Sequence, residues 1–251
     1  MLKKTIMFAA VAGLVLAPAP AARADLAGQL GILDATVLAG NNPATGNPWQ
    51  IGDQYHLAFV TSTGRDATST VIADYNAFVQ SVADGGASIV KTGGAVSWKA
   101  MVSTYGPPVV NAQDNLGVSG GGGCATFRLD SVMLAPDYDE MIDAVGKPFV
   151  SGTYLTVNEA GVDTGDGRVW TGTLHDLMAE TGSRGPLGDA DGTAANGKIV
   201  AEGGHWCCDT WATSTVSRMY AMSQPLQIIP EPATVILIAV GVPFLLKRSR
   251  R

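Results

Sequence analysis

The chain has 251 residues, 31 of them glycine, with 16 basic and 22 acidic side chains. Seven basic residues sit in the first 24 and last five positions, so residues 25–230 carry nine basic against 21 acidic side chains, a formal charge of −12. A surface of that sign repels phosphate backbones and excludes nucleic acid as a partner. It accepts divalent cations and neutral or cationic polymers.

In chain order, residues 1–24 read as a secretory signal peptide. Lys3 and Lys4 give the positive start, residues 6–16 the apolar core, and Ala22-Arg23-Ala24 a small-x-small site for signal peptidase, with Ala22 and Ala24 flanking the processed region. The mature chain then begins near Asp25 and is exported. Residues 25–52 form a leader, with Asn41-Asn42-Pro43 and Gly46-Asn47-Pro48 as turn signals. Residues 55–61 read as a buried strand. A helix follows, capped by Asp66 or Thr68, with Val71, Ile72, Tyr75, Phe78, Val79 and Val82 on one face. Asp84-Gly85-Gly86 stops it.

Strands are expected at residues 88–91, 96–102 and 125–129. Glycines 120–123 form a loop and not a phosphate cradle, since no Lys-Ser or Lys-Thr follows. Residues 136–144 suit a second short helix with Pro136 at its first turn. Beyond 150 the strands are short and the loops long. Residues 169–172 and 206–212 are aromatic-bearing segments separated by a polar, glycine-rich stretch at 182–197, and residues 219–222 supply a last strand. The pattern predicts an α+β domain with a mostly antiparallel twisted sheet.

The C-terminal end reads as an address. Pro230-Glu231-Pro232 precedes fourteen mostly apolar residues, 233–246, and then Lys247-Arg248-Ser249-Arg250-Arg251. Spanning a bilayer as a helix takes about 20 residues, so this segment suits transient insertion better than a permanent anchor. Its basic end fits retention on the cytoplasmic side. A kept tail-anchoring helix is the alternative. The three parts in this order resemble the PEP-CTERM sorting tail of Gram-negative bacteria. That resemblance implies a membrane-anchored precursor processed at Pro230, Glu231 and Pro232 by an exosortase-type membrane peptidase. It also implies delivery to the cell surface, outer envelope or extracellular matrix.

A second resemblance covers residues 53–227 in short patches. Ser97-Trp98-Lys99-Ala100-Met101-Val102-Ser103, Val169-Trp170-x-Gly172 and Cys208-Asp209-Thr210-Trp211 resemble segments of collagen-derived endostatin domains. Phe59-Val60-Thr61-Ser62-Thr63 resembles the opening of bacterial lectin-like surface domains. The resemblance implies a C-type-lectin-like fold with Trp98, Trp170 and Trp211 in its core. The family's histidine zinc site has no counterpart, because His56, His175 and His205 are scattered. The Glu-Pro-Asn or Gln-Pro-Asp loop and the Trp-Asn-Asp strand of sugar-binding C-type lectins are missing too.

Three cysteines in an exported chain suggest a disulfide. Adjacent cysteines rarely bond to each other, so Cys124 is expected to pair with Cys208, with Cys207 as the alternative partner. Zinc held by Cys124, His205, Cys207 and Cys208 lacks C-x-x-C spacing. Asp163 with Asp166, and Asp189 with Asp191, place paired carboxylates in loops that suit calcium. Neither loop has the closing Glu; the twelfth position counted from Asp189 is Val200. No other cofactor is expected. Catalytic signatures such as Gly-x-Ser-x-Gly and His-Glu-x-x-His are absent. His205 beside Cys207, and Asp139 beside Glu140, form no assembled acid, base or nucleophile set. Trp49 and Trp206 remain for stacking on sugar rings. The expectation is a non-enzymatic adhesion or exopolymer-binding protein, whose partner is extracellular polysaccharide. The alternative is a secreted hydrolase acting on such a polymer.

Overall fold

The computed structural model describes residues 41–50, 52–86, 96–141, 149–150, 152–174, 176–180, 185–200 and 209–228. The signal peptide, the strand expected at 88–91, His175, Trp206, Cys207, Cys208 and the whole C-terminal tail lie outside them. Strand β1, Gln54–Val60, is buried at every position after the first. Its near-continuous apolar run, Tyr-His-Leu-Ala-Phe-Val, follows from burial on both faces of the sheet. Tyr55, Leu57 and Phe59 enter one core with Trp98, Trp170 and Phe127. Ala58 and Val60 enter a second with Leu134, Met141, Val169 and Tyr220.

Helix α1, Ile72–Gly85, closes the first core with Tyr75, Val79 and Ala83. The expected stripe is narrower than the sequence pattern: Val71 is exposed and stands outside the helix as its N-cap residue, without a side-chain cap. Asp66 lies too far upstream to reach the free amides. It closes a turn onto Thr68 instead, accepting from its amide at 3.2 Å and its hydroxyl at 2.7 Å. The Ser69 hydroxyl shapes the helix entry, accepting from Val71 N at 3.1 Å and donating to Asp74 at 2.6 Å.

Strand β2, Trp98–Ala100, is followed by α2, Ala112–Leu116, and then by β3, Ala125–Arg128, β4, Met133–Ala135, and α3, Tyr138–Met141. Thus the helix expected over 136–144 is four residues long in the described part, and α2 was not expected. Next come β5, Arg168–Trp170, β6, Thr193–Lys198, β7, Asp209–Ala212, β8, Arg218–Ser223, and β9, Leu226–Gln227. The sheet order is β4-β3-β1-β8-β5-β6-β7, with β2 also on β8 and β9 also on β1. Pairs β1–β3 and β5–β8 are parallel and the other described pairs antiparallel. The class is α+β, with a mixed, mainly antiparallel sheet.

Two side chains of α1 complete β2. Asn76 Oδ1 accepts from Ala100 N at 2.9 Å, and Gln80 Oε1 accepts from Trp98 N at 2.9 Å. Their four-residue spacing puts both amides on one helix side, so they take up donors that β8 does not. The polar stretch expected as loop at 182–197 contains most of β6. Ala194 to Gly197 are buried because β5 and β7 pair on either side. Tertiary pairing overrides the weak strand propensity of Asn196 and Gly197.

Candidate functional site

Two places bring chemistry-bearing groups together among the described residues. The first is a buried relay. His56 is wholly buried on β1, with Nδ1 at 2.7 Å from the Ser223 carbonyl and Nε2 at 2.6 Å from the Tyr138 hydroxyl. A carbonyl only accepts, so Nδ1 carries the proton and Nε2 accepts from tyrosine. Cys124 lies beside Tyr138, close enough to influence its ionisation. Glycines of the 120–123 loop make room for α3: a Cβ on Gly123 would lie 2.3 Å from the Tyr138 ring. The Gly122 amide donates to Asp139 at 3.1 Å.

Burial sets the chemistry of this relay. Desolvation holds the His56 imidazole below its ordinary pKa, outweighing its bond to the Ser223 carbonyl. Burial likewise pushes the Cys124 thiol up to about 11 and the Tyr138 phenol upward. At neutral pH all three are uncharged, so the thiol is no nucleophile. Cys124 is a free, buried thiol. The disulfide expected from it to Cys208 or Cys207 is therefore not formed in this structure; both of those residues lie outside the described ones.

A pH dependence follows. Above pH 6.5 neither folded nor unfolded chain is protonated at His56. Below it the unfolded chain takes up a proton that the folded one refuses, so stability falls as pH falls. The slope reaches at most about 1.4 kcal/mol per pH unit. Urea midpoints measured from pH 7.5 to 5.5 should fall for the wild type, and His56→Gln should flatten the profile. An unchanged slope in that variant would remove His56 as its source.

The second place is a loop face built from segments 67–71, 104–110, 176–179 and 185–188. The 104–110 turn is closed by Thr104 N to Val110 O at 3.0 Å and Val110 N to Thr104 O at 3.2 Å. Tyr105 N donates to Leu187 O at 2.8 Å, and Gly188 N to Ala67 O at 2.8 Å. Gly106 presses on Thr70, where a Cβ would stand 2.4 Å from the carbonyl oxygen. Asn111 and Gln113 tie α2 to residues 177–179, accepting from Ala179 N at 3.0 Å and donating to Leu177 O at 3.3 Å. On this cross-bonded base Tyr105 is 46% exposed; Pro107, Pro108 and Val109 of the same turn are exposed with it, as are Val71 and Met178 on the neighbouring segments. The signal was Tyr-Gly-Pro-Pro-Val at 105–109, an aromatic and two prolines in one turn, which the sequence reading passed over.

The remaining candidates are dispersed. Asp163 accepts from Gly165 N at 2.8 Å, and Asp166 from Gly167 N at 2.7 Å while pairing with Lys198 at 3.2 Å. Asp189 accepts from Asp191 N at 3.1 Å. These are turn-closing carboxylates, and no group of three metal-ligating side chains is assembled among the described residues. Trp49 is half-buried, edge-on to Phe127 at 5.7 Å. Trp98 and Trp170 are buried as expected, whereas Trp211 is only partly so, with the Arg168 guanidinium 5.7 Å above its ring. The Ser62 amide donates to the buried Glu159 carboxylate at 2.9 Å, and its hydroxyl donates to the same group. His56 faces Tyr138 and Ser223 instead, so it does not complete a nucleophile pair with Ser62. Among the described residues no helix is long and apolar enough to cross a membrane, and residues 233–246 lie outside them. The chain matches no protein-family model and no curated protein.

Proposed function

We propose that this chain is an exported cell-surface or extracellular-matrix protein whose C-type-lectin-like domain binds extracellular polysaccharide. The signal peptide and the resemblance to a PEP-CTERM tail support delivery by signal peptidase and an exosortase-type peptidase. The observation that carries the binding reading is the loop face: an exposed tyrosine, two prolines and three aliphatic side chains held on cross-bonded loops. Flat apolar surface on a rigid base stacks on sugar rings with little ordering cost. The domain acts as an adhesion module and needs no cofactor; calcium is tested alongside.

A polysaccharide array probed with the purified chain, with and without calcium, tests this. Binding to one or more glycans, lost in Tyr105→Ala, is expected. No binding under either condition sinks the lectin reading, and release of reducing ends from a bound polymer replaces it with the hydrolase alternative.

A further inference from the structure

The packed domain runs almost to the start of the C-terminal tail. Ile228 is 2% exposed in the first core; its amide donates to Asp53 O at 2.9 Å and its carbonyl accepts from Gly52 N at 2.8 Å. Beside it β9 pairs with the start of β1, Gln227 opposite Gln54 and Leu226 opposite Tyr55. Only residues 229–232 separate Ile228 from the apolar run that starts at Ala233. Five Cα steps reach at most about 18 Å, and two of the four linking residues are proline. A lipid headgroup layer takes roughly 6 Å of that reach. A domain of about 175 residues has a radius of gyration of about 16 Å, so on so short a tether it cannot swing clear of a bilayer.

The surface around this exit suits such a contact. Residues 41–54 contain a single ionisable side chain, Asp53, whose carboxylate accepts from Gln50 N at 2.9 Å. Asp53 N donates back to Gln50 O at 3.1 Å, so the Trp49–Gln50 backbone is fixed beside the residue that holds Ile228. Trp49 is half-buried with its ring edge-on to Phe127, and Gln50, Gly52, Gln54 and Gln227 are exposed. An indole with one packed edge and one wet edge suits the level of lipid headgroups. Residues 25–230 carry a charge of −12, so an anionic lipid surface repels most of the domain but not this end. The register sends the loop face the other way. Phe59 on β1 and Ala100 on β2 both pair antiparallel with Ala221, so β1 and β2 run in the same direction. Past Ala100 the chain continues through Met101, bonded to Tyr220 O at 3.0 Å, toward the Tyr105 turn and away from the Gln54 end.

We propose that the exported precursor rests on the bilayer through this neutral end, with Trp49 at the headgroup layer and the Tyr105 face turned away from the membrane. The inference rests on reading residues 233–251 as a membrane segment, and it adds the orientation of the domain.

The test reconstitutes the exported chain, residues 25–251, with vesicles of phosphatidylethanolamine and phosphatidylglycerol whose acyl chains carry bromine just below the headgroups. Bromine quenches an indole only near contact. Tryptophan emission should be quenched in the wild type, and Trp49→Phe should lose most of that quenching while keeping its melting transition. Ala44→Glu with Gln50→Glu, both at exposed positions, leaves Trp49 and its packing in place. This double variant should be quenched less in low salt and recover in high salt, where the added repulsion is screened. Equal quenching of wild type and Trp49→Phe overturns the assignment, because another face then meets the lipid. If Trp49→Phe instead converts a dimer to a monomer in sedimentation, the face holds a second copy and the membrane contact is refuted. A chain that floats with the vesicles but is not quenched through Trp49 loses only the orientation. A chain that does not float with them at all removes the membrane segment, and the orientation with it.

Discussion

Trp170→Ala should lower stability by about 3–5 kcal/mol, the range for emptying a fully buried aromatic site. Trp170 is 0% exposed and joins the core that holds Phe59 and Trp98. Its Nε1 donates to Thr215 O at 3.2 Å, and its ring meets Trp211 edge-on at 6.2 Å. Truncation leaves both a cavity and a carbonyl without its donor. It also loosens the joint between halves of the sheet, because Trp170 sits opposite Asn196 on β6 and Met219 on β8. A domain stable by about 5–15 kcal/mol would keep only a fraction of its margin. Urea unfolding followed by far-UV circular dichroism measures the loss. Trp170→Phe should retain much of the packing and lose mainly the hydrogen bond, about 1 kcal/mol plus the volume difference. An alanine variant within about 1 kcal/mol of wild type would show that the β5–β6–β7 part is not cooperative with the rest.

Gly172→Ala should cost about 3 kcal/mol and also displace the loop face. Gly172 has φ +61°, and a Cβ there would lie 2.6 Å from Ser103 O, 2.7 Å from Leu187 N and 3.1 Å from Pro186 Cα. All three are backbone atoms, so no side chain can swing aside. The same Ser103 and Leu187 are bonded to one another, Leu187 N to Ser103 O at 3.0 Å, and Leu187 O holds the amide of Tyr105. Pushing them apart therefore moves Tyr105. Gly161→Ala is the control: its φ is +77° but nothing lies within 4 Å of the added carbon. It should cost only the left-handed penalty, roughly 1–2 kcal/mol. The gap between the two variants in a denaturant titration isolates the close approach, and equal losses would refute it. Binding to whichever glycan the wild type selects should fall in Gly172→Ala and persist in Gly161→Ala.

What the sequence made legible tracks burial. β1 and β8 are read within a residue or two because both faces of each strand are packed, leaving runs of apolar side chains. The α1 helix is found by its periodicity, although its capping is misplaced: Asp66 and Thr68 lie upstream in their own turn, and Val71 starts the helix without a side-chain cap. β6 is hidden because a strand flanked on both sides can be built from Ala, Asn and Gly, whose own preferences point elsewhere. The relay left no local trace. His56 meets Tyr138 and Ser223 across 82 and 167 residues of chain, and Cys124 meets that same tyrosine rather than another sulfur. Tyr105 is illegible for a different reason: an exposed aromatic side chain in a turn carries no periodicity.

The position of β8 has a consequence for how the protein acquires its shape. β8 lies between β1 on one side and β2 with β5 on the other, yet its residues come from 218–223. Strands β1, β2 and β5 therefore share a neighbour that follows all three of them in the chain. Such sequence-distant pairing is slow to nucleate. A chain of this topology leaves its central sheet incomplete until that late strand arrives.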